Sequence, residues 1–182
     1  MDSSKKTEIQ LSKSKLTLML LGSLAFVGLG VWFVSDPSEF NNPILSSPTK
    51  VFIVGIASIT FFGIAAFFIL KKLRDKSPGL IISQEGVFDN ASAVSAGFVP
   101  WTDILEIRET KVANQPFINL VVKNPQDYID RQKNSIKRKL MQVNYNAYKT
   151  VIGIPSNGLK CDYRELKGML DKAFSDFKNK TI

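Results

Sequence analysis

Two long apolar runs dominate the N-terminal part of the chain and set its organisation. Leu16–Val34 and Val51–Leu70 each run without a single charge. A helix needs about 20 apolar residues, at 1.5 Å rise each, to cross the ~30 Å hydrocarbon core of a bilayer, and both runs are of that length. Neither run contains proline, and neither shows the polar face that a soluble helix of this length carries. Gly22, Gly28, Gly30, Gly55 and Gly63 fall inside the runs. They would weaken soluble helices but suit close packing in lipid. The pattern predicts two transmembrane helices, 16–34 and 51–70, joined by an extracytoplasmic loop at 35–50. The first run exceeds the roughly 7–15 apolar residues of a signal peptide, and Phe33-Val34-Ser35-Asp36-Pro37 is a poor cleavage site. It reads as an uncleaved anchor. The loop carries Pro37, Pro43 and Pro48, which favour an extended connection over a helix.

After residue 78 the pattern changes to short strands. Gly79–Ser83 is apolar and β-branched, and Gln84-Glu85-Gly86 supplies a glycine where a three-residue hairpin loop needs positive φ. Val87-Phe88 begins the return, Asp89–Gly97 reads as a loop, and Phe98–Trp101 resumes the strand pattern. Ile104–Val112 alternates polar with apolar positions, Asn114-Gln115-Pro116 turns the chain, and Phe117–Lys123 sets Ile118, Leu120 and Val122 on one face. Gln126–Tyr148 is helical, with Ile129, Ile136, Leu140 and Val143 on a single stripe. Val151–Pro155 is another strand, turned by Ser156-Asn157-Gly158. Asp162 and Glu165 make a capping box for the last helix. Leu166, Met169, Leu170, Ala173, Phe174 and Phe177 form its continuous apolar face, which must lie on a sheet.

Charge then orients the spans. A basic leader, residues 1–15, holds Lys5, Lys6, Lys13 and Lys15, and a basic juxtamembrane linker, 71–78, holds Lys71, Lys72, Arg74 and Lys76. The loop between the spans has Lys50 alone against Asp36 and Glu39. The positive-inside rule places both termini in the cytoplasm. No acidic, basic or amide side chain lies within either span, so a transport path or proton relay is not indicated. Thr17, Ser23, Ser58 and Thr60 are read as bonding back to their own helix carbonyls. No pair of small residues four apart signals dimerisation in lipid, and the hairpin reads as an anchor.

Composition excludes much of the remaining chemistry. The chain has no histidine and one cysteine, which removes the commonest zinc ligand, the usual general base and any intramolecular disulfide. No catalytic, cofactor-binding or metal-binding residues are predicted, and no cofactor. Cys161 precedes the capping Asp162; a helix N-terminus lowers a thiol pKa, but an inert packed thiol is the expectation. Asp127 with Asp130, and Asp171 with Asp176, read as solvated carboxylates, and no basic residue follows the Asn157-Gly158 turn at P-loop spacing.

The net charge is +8, and residues from Lys71 onward hold 19 basic against 12 acidic side chains. Arg131, Lys133, Lys137, Arg138 and Lys139 make the densest cluster. Three readings stay open for it: a solvated helix face, a contact for anionic lipid headgroups, or a contact for an acidic partner. Tethering beside a membrane favours lipid, at about 1 kcal/mol per nearby Lys or Arg, and Lys71, Lys72, Arg74 and Lys76 are candidate contacts for anionic headgroups or an acidic partner as well. Nucleic acid is disfavoured because no helix-turn-helix, zinc or RNP-like motif accompanies the charge. The stripe of the same segment suits either docking on the domain or lying at the bilayer interface.

Leu80-Ile81-Ile82-Ser83, Gly86-Val87-Phe88 and Val99-Pro100-Trp101-Thr102-Asp103-Ile104 resemble the opening of bacterial pleckstrin-homology-like (PH-like) domains. Two N-terminal spans followed by such a domain is similar to a family of small, largely uncharacterised bacterial membrane proteins. The resemblance implies an α+β membrane protein: a transmembrane helical hairpin, then a PH-like β-barrel or sheet over 79–182, capped by a C-terminal amphipathic helix. It also implies a two-pass protein of a bacterial inner membrane and supplies no catalytic residues. Trp101 is expected to pack in the core or at its rim, with Asp103 in an Asx turn. The expected function is a non-enzymatic membrane protein presenting a binding domain at the cytoplasmic face. Its partners would be the bilayer, anionic headgroups or another membrane protein. An accessory subunit of a transport or enzyme assembly is the alternative.

Overall fold

The computed structural model describes residues 6–40, 47–92, 94–112 and 115–181. Lys5, Pro43 and Asn114, used in the sequence reading, lie outside the described residues. The chain forms two compact units: Lys13–Lys76, and a second that joins residues up to Ser12 with Ser77 onward.

The first unit is a helical hairpin, α1 (Lys13–Ser35) and α2 (Pro48–Arg74). Both helices are long and apolar enough to cross a membrane. They extend past the predicted spans: Pro48 opens α2 at its first turn, where a missing N–H costs nothing, and Lys71, Lys72 and Arg74 form its last turn. Those cations complement the negative end of the helix dipole. Leu16, Ser23 and Gly30, spaced by seven, are the buried positions of α1. That repeat is the seam of a left-handed helix pair. Large apolar side chains elsewhere, such as Leu18, Phe61 and Phe67, are exposed.

Close approach in the hairpin rests on single glycines facing each other. A Cβ on Gly30 would lie 2.9 Å from the Gly55 carbonyl oxygen, and one on Gly55 would lie 2.8 Å from that of Gly30. Phe26 stacks on Phe62 with centroids 4.3 Å apart. Ser23 and Thr60 do donate to carbonyls of their own helices, Met19 and Ile56. Ser58 differs: its hydroxyl crosses to the Phe26 carbonyl, at 2.9 Å, because the glycine approach brings that carbonyl within reach. At the open end, the Lys13 ammonium donates to the carbonyls of Leu73 and Asp75.

The second unit holds two antiparallel sheets, not a closed barrel. Strands β1 (Thr7–Ile9), β2 (Leu80–Ile82), β3 (Gly86–Asp89) and β4 (Gly97–Pro100) lie side by side in that order. Strands β5 (Ile104–Val112), β6 (Gln115–Val122) and β7 (Ile152–Pro155) form the other sheet. Within the expected leader, Thr7–Ser12 are therefore part of this second unit. Thr7, Glu8 and Ile9 pair with Ile82, Ile81 and Leu80. Leu11 bridges Leu159, Ser12 N–H donates to the Gly158 carbonyl, and Lys160 N–H donates to that of Gln10. Ile9 and Leu11 are buried.

Gly86 does sit at the β2–β3 turn, but its role is close approach. Among described residues the only glycine with positive φ is Gly97, at 74°. A Cβ on Gly86 would lie 2.3 Å from the Val99 carbonyl oxygen of the facing strand. The turn itself is held by Ser83, whose hydroxyl oxygen accepts from the Glu85 and Gly86 N–H groups.

Gln126–Tyr148 is two helices, α3 (Pro125–Asp130) and α4 (Ser135–Tyr148). Asn134 restarts the helix, its side-chain oxygen accepting from the N–H groups of Ile136 and Lys137. The last helix, α5 (Tyr163–Thr181), carries the expected capping box: Glu165 N–H to Asp162 at 2.9 Å, and Asp162 N–H to Glu165 at 3.0 Å. Leu166 and Leu170 are fully buried and Phe174 nearly so, as the apolar stripe requires.

Lys149 caps α4 in the left-handed region, at φ 57°. A side chain there costs about 1 kcal/mol relative to glycine. Lys149→Gly is expected to raise the melting temperature of the second unit by a few degrees, read by circular dichroism in detergent. An unchanged or lower value would show that neighbouring contacts offset the strain.

Candidate functional site

The sequence nominated two basic groups, and the structure separates their members. In the first, Lys71, Arg74 and Lys76 are exposed at or just beyond the end of α2, and Lys72, half-buried, pairs with Asp75 at 3.8 Å.

In the second, two of the five cations are held by their own domain. Asp89 starts the inner half of this arrangement: its buried carboxylate accepts from the N–H groups of Ala91 and Ala96, both at 2.9 Å, which folds the loop between them back on itself. Carbonyls of that loop and of β4 are then met from α3 and α4. Arg131 donates to the carbonyls of Ala96, at 2.6 Å, and Phe98, at 2.9 Å, while its guanidinium lies 4.0 Å over the Tyr128 ring. Lys137 donates to the Ser95 carbonyl at 2.9 Å. Both cations thus clamp a loop. Arg138 donates to the Gln132 carbonyl at 3.3 Å but is otherwise exposed, as are Lys133 and Lys139.

Tyr128 ties this clamp to the Trp-Thr-Asp-Ile step. Its hydroxyl donates to the Asp103 carboxylate at 2.7 Å, in place of the expected Asx turn. Burial first, then that bond, hold the phenol protonated well above its ordinary range. Trp101 is buried as expected, with its indole N–H donating to the Ser83 carbonyl at 2.9 Å and its ring tilted against Phe174 at 5.8 Å.

The stripe on α4 runs opposite to one of its expectations. Met141 is the residue α4 buries in the domain, at 0% exposure, about 140° around the helix from Ile136. Ile136, Leu140 and Val143 are 62%, 41% and 54% exposed. Ile129, predicted to share their stripe, is buried under α3, because the break at 131–134 rotates the second helix relative to the first.

Beside α5 lies a concave surface, an open groove of about 680 Å³ between β1 and the helix, lined by Ile9, Cys161, Arg164, Met169 and Lys172. Sequence reasoning missed it, since it needs β1. Among the described residues no three Cys, Asp or Glu side chains gather as a metal-ligand set. Cys161 is buried.

No family model matches the chain, and neither a curated protein nor a solved structure matches it significantly.

Proposed function

We propose that this is a two-pass integral membrane protein of the bacterial inner membrane. Both termini lie in the cytoplasm, and a non-catalytic PH-like domain is presented there as an interaction module. The observation that carries the reading is the pairing of β1, which precedes the first candidate span, with β2, which follows the second. A chain whose two ends share one sheet must cross the bilayer an even number of times. The excess of Lys and Arg at those ends over the 35–50 loop then selects the cytoplasmic side. Strands grouped four and three, followed by an amphipathic helix, support the PH-like assignment.

Single cysteines at Ser38 and Ser175, tested in a Cys161→Ser background, read the orientation. Ser38→Cys is expected to react with an impermeant maleimide in intact cells, and Ser175→Cys only after permeabilisation. The reverse pattern overturns the orientation.

A further inference from the structure

The geometry points to α4 as an interfacial helix that lies in the surface of an anionic bilayer, with Ile136, Leu140 and Val143 inserted among the acyl chains. This deepens the reading of a membrane-anchored domain and rests on it.

Three observations favour lipid as the occupant. The stripe recurs at Ile136, Leu140, Val143 and Ala147, one residue per turn of helix, and every one of these residues is exposed. The helix is held to its own domain from the other side, through Met141 and the Lys137–Ser95 bond, so the stripe is not the face that docks. Second, α4 contains no acidic residue in SIKRKLMQVNYNAY, exposed Lys139 flanks the stripe and exposed Lys133 precedes the first turn. A basic collar beside an apolar face complements anionic headgroups over an acyl layer. Third, the domain resumes at Ser77, directly after α2 and its short basic tail, so it is tethered to the proposed anchor by a short connection. A protein partner would have to compete with a surface held at that local concentration.

The cations doing this are not the whole cluster. Arg131 and Lys137 donate to the 95–98 carbonyls and Arg138 lies on the side of α4 away from the stripe, which leaves Lys133 and Lys139 for headgroups.

The test uses the full-length protein in proteoliposomes, with an environment-sensitive fluorophore on Val143→Cys in the Cys161→Ser background. A parallel label on Asn146→Cys, exposed and off the stripe, is the control. In vesicles with about one-third phosphatidylglycerol, the Val143 label is expected to shift to the blue and to be quenched by brominated acyl chains. The Asn146 label should do neither. In pure phosphatidylcholine, or at 0.5 M salt where the Debye length is about 4 Å, the shielded fraction should fall several-fold. Lys133→Gln and Lys139→Gln together should reproduce that fall, while Arg131→Gln should instead loosen the loop without mimicking the salt effect. A label that stays aqueous in both lipids overturns the proposal and leaves a solvated face. Shielding that persists in detergent and grows with protein concentration also overturns it, in favour of a second copy. Flotation with the vesicles after alkaline washing reports the anchor separately, so loss of the anchor is distinguishable from loss of the α4 contact.

Discussion

Trp101→Ala is expected to cost the second unit about 3–5 kcal/mol, the range for deleting a buried large aromatic. The side chain is 1% exposed and packs on Phe174, so its loss opens a cavity between the strand end and α5. The Ser83 carbonyl also loses its indole donor, at the turn that carries Gly86. Trp101→Phe keeps much of the volume and should cost less than half as much. Domains are typically stable by about 5–15 kcal/mol, so the alanine variant should melt far earlier or fail to fold. Thermal unfolding of the detergent-solubilised protein, followed by circular dichroism, reads this. Equal melting of wild type and Trp101→Ala would remove Trp101 from the core.

The second large effect is expected at the chain's beginning. Leu11→Asp places an unpaired carboxylate where a side chain is now 3% exposed, against Leu159 and the backbone of Gly79. Burial of an unpaired charge is among the few changes that cost more than about 4 kcal/mol. Thr7→Asp, at an exposed position of the same segment, should be nearly neutral. If residues 7–12 were only a charged leader, the two substitutions would behave alike. Protease resistance of residues 77–181 in full-length protein separates the cases: Leu11→Asp should abolish it and Thr7→Asp should not.

The two long apolar helices and α5 were legible because their signals are local and periodic. An uncharged run long enough to cross a bilayer, or an Asp162–Glu165 box followed by Leu166, Leu170 and Phe174, contains its own explanation. Most strands were legible for the same reason. Strand β1 was not: Thr7–Ile9 is too short to show an alternation, and its partners, Leu80–Ile82, lie beyond both spans. The lysines around it also read naturally as topogenic charge.

The basic cluster shows a different limit. Sequence places Arg131 and Lys137 beside Lys133 and Lys139, and nothing local says that the first two reach the distant carbonyls of Ser95, Ala96 and Phe98. The α4 stripe was found by its spacing, but periodicity reports only that one face is apolar, not whether that face is covered. Here the single Met141 outweighs three apolar neighbours, because Asn134 resets the helix phase. A repeat of small residues along one helix does not describe the Gly30–Gly55 contact, because this crossing needs one small residue on each helix.

The central claim is that residues before α1 and after α2 build one domain on one side of the membrane. It is tested most directly by Glu8→Cys with Ile81→Cys, facing positions of the β1–β2 ladder, in a Cys161→Ser background. A protease site is inserted after Ser38, in the connection between the two helices. Membranes are treated with a short bis-maleimide, cut at the inserted site, and run in denaturing gel. The two halves are expected to stay covalently joined and migrate as one species only when both cysteines are present. Two separate fragments, in membranes where each cysteine alone is shown to be reactive, would contradict it.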